Sequence, residues 1–95
     1  MEITNKTRLK EYAYSHDISC RTMQRRLQKQ GITFQQVKAF LLCSRAMNMF
    51  REGATVTHVA QVLQYSEIAA FTRSFKRWTG QTCSEFKRER SIDKV

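Results

Sequence analysis

Two arginines, Arg25 and Arg73, occupy the same place in a pattern that the chain uses twice. Projected at about 100° per residue, a segment with Met23 and Leu27 inward turns Arg21, Gln24, Arg25 and Gln28 outward. A later segment with Phe71, Phe75 and Trp78 inward turns out Ala69, Thr72, Arg73 and Lys76, with Ile68 at the edge. Neither arc contains an acid. An arginine fork pairs bidentately with guanine, a glutamine amide pairs with adenine, and Ala or Ile side chains meet thymine methyls. Either arc alone would also suit an ordinary solvated helix face. Their recurrence at matching positions favours two surfaces that address base edges.

The other reactive side chains form no comparable set. Cys20, Cys43 and Cys83 are odd in number, make no C-x-x-C pair, and stand at no metal-ligand spacing from His16 or His58. They are expected as buried or half-buried free thiols in a reducing compartment, with no metal and no cofactor. There is no carboxylate pair, no Cys/His or Ser/His dyad at useful spacing and no phosphate-cradling glycine loop, so enzymatic activity is not expected. Glu11 with His16 or Cys20 is the nearest local cluster, and it belongs to a first helix and its turn.

The elements that must position the arcs follow from the repeat. "LKEYAYSHDIS" running into "CRTMQRRLQKQG" is matched by "VTHVAQVLQYS" running into "EIAAFTRSFKRWTG". Ala13 matches Ala60, Ser19 matches Ser66, and Met23, Arg25 and Leu27 match Phe71, Arg73 and Phe75, with one extra residue ahead of the later second helix. No period-2 alternation persists, and Gly31, Gly53 and Gly80 each close a helical pattern, so the chain is expected to be all-α. Thr7 is expected to cap a helix over 8–15 with Leu9, Tyr12 and Ala13 inward, and Ser19 a second over 20–29. Thr33 begins a long helix over 34–52 with Val37, Leu41, Ala46, Met49 and Phe50 inward. Thr55 starts a helix over 56–63 that buries Val56, Val59, Ala60 and Leu63, Ser66 or Glu67 opens one over 68–79, and a last turn or helix over 83–90 carries Phe86 inward.

The expected organisation is a disordered lead (1–6), a first helix-turn-helix (7–32), a linking helix (33–53), a second helix-turn-helix with a final helix (54–90) and a frayed tail (91–95). A rod of about 19 residues is roughly 28 Å long, near the ~34 Å recurrence of the major groove on one face of duplex DNA. Four apolar residues in a row, Phe40 to Cys43, cannot all face one side of it. That helix, with the acidic patch around Glu52, is also open to reading as a protein-contact surface.

Charge points the same way. There are 17 Lys and Arg against 8 Asp and Glu, a formal charge of +9 in 95 residues, which suits a polyanion such as nucleic acid or an anionic membrane surface. No apolar run approaches the ~20 residues of a membrane span, and the N-terminus lacks a secretory signal's apolar centre. A cytoplasmic, nucleoid-associated chain with no membrane role is expected.

The chain resembles the DNA-binding domain of AraC/XylS-type bacterial transcription regulators over 8–88. In the first half the likeness rests on Ser19, Arg21, Met23, Arg25, Leu27 and Gly31. In the second it rests on Val59-Ala60, Tyr65-Ser66, Phe71, Arg73, Phe75-Lys76-Arg77, Gly80, Thr82, Glu85 and Phe86. It implies two helix-turn-helix units on a rigid linking helix, bound to an asymmetric duplex site in consecutive major-groove segments. Base-reading residues would be Arg21, Gln24, Arg25, Ile68, Ala69, Thr72 and Arg73; phosphate contacts would come from Ser19, Gln28, Ser66, Lys76 and Arg77. It also implies a helix before the first pair, which residues 1–6 are too few to form, and an N-terminal effector or oligomerisation domain in a full-length protein; read as an interaction module, the linking helix or the patch around Glu52 would recruit RNA polymerase or another partner. Without that helix, Leu9, Tyr12 and Tyr14 are expected to be less covered and the N-terminal half less stable.

Four departures from the family pattern stand out. His16-Asp17 replaces a Leu-Gly pair, which places His16 at an expected core position as a partly buried imidazole. Gln64 replaces a turn glycine, so strain or an altered turn is expected there. Cys83 replaces a proline, and Leu42 a basic residue. A nonspecific or architectural nucleic-acid binder, or a protein-interaction module, remains the alternative function.

Overall fold

Side-chain caps set most of the helix starts. The computed structural model describes the backbone of residues 2–93 and the side chains of residues 2–89. Six helices follow in order: α1 Leu9–Ser15, α2 Cys20–Lys29, α3 Phe34–Arg51, α4 Val56–Val62, α5 Ile68–Thr79 and α6 Cys83–Asp93. Ser19 Oγ accepts the Thr22 N–H at 3.1 Å, and Thr55 Oγ1 accepts the His58 N–H at 3.1 Å, satisfying one orphan amide in each first turn. Thr33 and Gln36 form a reciprocal capping box at α3, with bonds of 2.9 and 3.1 Å. Thr82 and Glu85 do the same at α6, at 2.8 and 3.0 Å. Gly31, Gly53 and Gly80 all take positive φ after their helices.

The two helix-turn-helix turns reach the left-handed region without glycine, Asp17 at φ 59° and Gln64 at φ 63°. Asp is among the side chains that enter this region most readily. Gln64 has no such preference, so its turn carries the strain expected from the sequence.

The core is gathered in the second half. Leu42, Ala46 and Phe50 of α3 lie one above another at four-residue spacing and pack with Val59, Ala60, Leu63, Phe71, Phe75 and Cys83. Phe75 is the hub of the aromatic packing, edge-on to Phe50 at 5.5 Å and to Phe86 at 5.6 Å, with Phe71 at 6.1 Å. Helix α3 packs on α4, α5 and α6, and α5 packs on α6. The first helix pair has far less: of the hydrophobic side chains of 7–32 only Ala13 and Met23 are buried. Helix α1 packs on α2, and Tyr12 reaches Phe34 at the start of α3, ring centroids 5.5 Å apart.

Several expectations are corrected. Leu42, not Leu41, is the fully buried residue of its apolar run, while Phe40 is 70% exposed; a phase error of one residue is 100°. Leu41, Met49 and Val56 do pack against the core cluster, half-buried, while Val37 is half-buried outside it. Thr7 does not cap α1. It is buried and its Oγ1 accepts the Thr4 N–H at 2.9 Å, while Arg8 occupies the cap position and donates its N–H to Glu11 at 2.9 Å. His16 is exposed at the C-cap of α1, its Nδ1 2.9 Å from the Tyr12 carbonyl and its ring 4.6 Å from the Tyr12 ring, so it folds back on its own helix rather than into the core. Cys20 is exposed rather than buried.

The lead expected to fray is docked. Ile3 is buried in the core cluster of the second half, and the Asn5 N–H donates to the Leu63 carbonyl at 2.8 Å. At the other end, α6 continues to Asp93; of the tail expected to fray, 94–95 lie outside the described residues.

Candidate nucleic-acid interface

Helix α2 presents its polar face by default, because only Met23 along its length is buried and Leu27 is half-buried. Arg21, Gln24, Arg25 and Gln28 are exposed. Helix α5 buries Phe71, Ser74 and Phe75, which leaves Ala69, Arg73, Lys76 and Arg77 exposed and Thr72 half-buried. Ile68, at the edge of this arc, is 45% exposed.

The electrostatics of both arcs are open. Among the described residues the one ion pair is Arg45–Glu2, far from either arc in sequence. Arg21, Arg25 and Arg73 make no hydrogen bond or ion pair among those residues, so their forks are unspent. Thr72 donates its hydroxyl to the Ala69 carbonyl at 3.0 Å, which leaves it an acceptor and a methyl to offer. Ser19 Oγ is engaged with Thr22 in the cap, so toward an anion it has chiefly its backbone N–H at the start of α2. No side chain caps α5, where Glu67 holds the cap position and Ser66 precedes it, exposed.

Two surface depressions gather cations beside these arcs. One is lined by Thr72, Arg73, Lys76, Arg77 and Thr82, so the start of α6 adjoins the α5 arc. The other lies between α1 and the start of α2, where Lys6, Arg8 and Lys10 share a wide, open groove with Ser19 and Cys20. Thr82 and this basic trio were not among the sequence-expected contacts. The Thr82-x-x-Glu85 capping signature and the alternate spacing of Lys6, Arg8 and Lys10 were the available signals. Lys76 has a competing neighbour: Glu85, whose carboxyl is held below its usual range by the Thr82 N–H, then by the Thr82 hydroxyl, and also by the charges of Lys76 and Arg88. Among the described residues no three His, Cys, Asp or Glu are grouped to hold a metal ion, and no helix is long and apolar enough to cross a membrane.

The molecule measures 47 × 25 × 20 Å. Its long axis exceeds the ~34 Å that separates successive major-groove segments on one face of a duplex.

Comparison with known proteins places this geometry. A helix-turn-helix domain family matches residues 12–89. The HTH-type transcriptional regulator RipA of Corynebacterium diphtheriae is 37% identical over 83 residues, 86% of this chain and 25% of its own. The HTH-type transcriptional regulator VqsM of Pseudomonas aeruginosa is 37% identical over 68 residues, 70% of this chain and 21% of its own. The chain thus spans about a quarter of the length of these relatives. Among solved structures, the transcriptional regulator CdpR of Pseudomonas aeruginosa superposes with a TM-score of 0.74 at 27% identity, over 88% of this chain and 27% of that one. A DNA-binding transcriptional dual regulator of Escherichia coli K-12 superposes with a TM-score of 0.84 over 96% of this chain and 83% of that one. At 18% identity this last likeness speaks for the fold alone.

Proposed function

The chain belongs to the AraC-type helix-turn-helix family of transcriptional regulators, and from that premise we propose that it binds a specific double-stranded DNA sequence through α2 and α5. The two helices enter successive major-groove segments. Arg21, Gln24 and Arg25 read bases in one block, and Ile68, Ala69, Thr72 and Arg73 read them in the other. Ser19, Gln28, Ser66, Lys76 and Arg77 hold phosphates, which fix register without carrying sequence information.

One observation carries the reading. Arginines with no ion pair or hydrogen bond among the described residues stand at equivalent positions of a repeated helix pair, and an 18-residue helix, about 27 Å long, separates the two pairs. Solvated arginines of no function would not need that correspondence. The rings of Phe50, Phe71, Phe75 and Phe86 pack on one another, and the exposed rings, Tyr14 and Phe40, stand singly on α1 and α3 rather than forming a stacking platform, which favours duplex over single-stranded partners. An N-terminal effector or oligomerisation domain belongs to the same proposal, supported by the greater length of the relatives; a contact with RNA polymerase is proposed beside it.

The test is competition between a selected duplex and random duplex, with Arg25→Ala and Arg73→Ala alongside. Each substitution is expected to cost about 1–3 kcal/mol on the selected duplex and to relax base preference in its own block. A substitution that leaves affinity and preference untouched removes that arginine from the reading. Equal affinity for random duplex would make the chain a nonspecific binder.

A further inference from the structure

Residues 2–5 do not belong to the first helix pair that follows them; they are fastened to the second half. Ile3 is 8% exposed within the core cluster that also holds Leu42, Ala46 and Leu63. The Asn5 N–H donates to the Leu63 carbonyl at 2.8 Å, at the end of α4 where the chain turns toward α5. Thr4 Oγ1 donates to the Gln64 side chain at 3.3 Å. From the linking helix, Arg45 donates to the Ile3 carbonyl at 2.8 Å and to the Glu2 carboxylate at 2.8 Å, and Lys38 donates to the Asn5 carbonyl. Burial pushes the Lys38 ammonium below its usual range, with the Glu11 carboxylate opposing. Immediately after these anchors, Thr7 closes a turn back on Thr4 and α1 begins.

The first helix pair is therefore tied to the second half at both of its ends, through this lead at one and through α3 at the other. It needs that restraint, since of its own hydrophobic side chains it buries only Ala13 and Met23. With one tether it would pivot about the loop at 30–33; with two it is held in register. We propose that Ile3, Lys38 and Arg45 are positioning residues for bipartite DNA reading: by clasping the lead onto the second half, they fix the spacing between the α2 and α5 reading surfaces. This rests on the two-block reading above, with neither α2 nor α5 altered.

The experiment measures affinity for the selected duplex, for versions with the two blocks moved apart or together by one base pair, and for a duplex retaining only the α5 block. One base pair shifts a block by about 3.4 Å and rotates it by roughly 35°. A clasped protein therefore loses at least tenfold on the shifted duplexes, by the collapse of effective concentration for the second contact. In Ile3→Ser the penalty for shifting shrinks to roughly threefold or less, affinity for the optimal duplex falls about tenfold, and affinity for the single-block duplex is unchanged. Ile3→Val restores the wild-type profile.

A lesion that merely destabilised the fold would lower all affinities together, so the spacing profile separates the two. Should Ile3→Ser fail to fold, Lys38→Met with Arg45→Met leaves the apolar anchor in place and is read by the same criterion. A folded variant of either kind that keeps the wild-type spacing penalty overturns the clasp and leaves two-block reading intact. A wild-type protein indifferent to the second block overturns both; one that needs the second block but not its spacing overturns the clasp alone.

Discussion

Leu27 and Phe75 are the same position of the repeat, and truncating each should expose how unequal the two halves are. Phe75 is fully buried and touches the rings of Phe50, Phe71 and Phe86. Its removal loses the transfer energy of a buried aromatic together with a cavity term, about 3–5 kcal/mol for Phe→Ala. Leu27 is only half-buried. Full burial would give roughly 2–5 kcal/mol, so about half of that, 1–2.5 kcal/mol, is expected from Leu27→Ala. A domain of this size holds about 5–14 kcal/mol in all. Phe75→Ala should thus leave the protein near its threshold of stability, with a Tm fall of at least about 12 °C, against roughly 4–20 °C for Leu27→Ala. Urea titration followed by circular dichroism gives both values, and hydrogen exchange locates the loss: around α4 to α6 for Phe75, confined to α1 and α2 for Leu27. Equal losses, within about 0.5 kcal/mol, would refute the claim that the core lies in the second half.

Other expectations follow from single residues. Iodoacetamide should modify exposed Cys20 first, then Cys43, and Cys83 only on unfolding; burial raises the thiol pKa of both Cys43 and Cys83, and mass spectrometry over time reads the order. Gly80 closes α5 at φ 80° with open space where a Cβ would sit. Gly80→Ala should therefore cost about 1 kcal/mol from backbone strain alone, measurable as a lower urea midpoint. Glu85 has its carboxyl lowered in the folded state, so its contribution is present above the unfolded pKa and is lost as pH falls through the folded one. NMR should show the first turn of α6 loosening on acidification in the wild type, and no such acid-side transition in Glu85→Gln.

The helices were legible because their signals are local. Ser19, Thr33 and Thr55 sit where caps are needed, and Gly31, Gly53 and Gly80 mark the ends. The outward phase of α2 and α5 followed from Met23, Phe71 and Phe75, which all prove buried. The lead was illegible for the opposite reason. A single isoleucine among polar residues has no period, and its partners, Arg45 and Leu63, lie 42 and 58–60 residues along the chain from the segment they hold. The Phe40–Cys43 run failed at the scale of one residue, since four apolar side chains in succession define no unique phase. His16 failed because a turn can redirect a side chain that the repeat would place inside. The residues proposed to read bases were picked out by the same phase, which leaves Arg21, Gln24, Arg25, Ile68, Ala69 and Arg73 exposed.

Selection of bound duplexes from a random library at physiological salt, repeated with Arg25→Ala and Arg73→Ala, addresses two-block reading most directly. An asymmetric motif of two blocks about one helical turn apart is predicted, with each substitution erasing preference in one block and sparing the other. A single block, no enrichment, or loss of both blocks in either variant would contradict it.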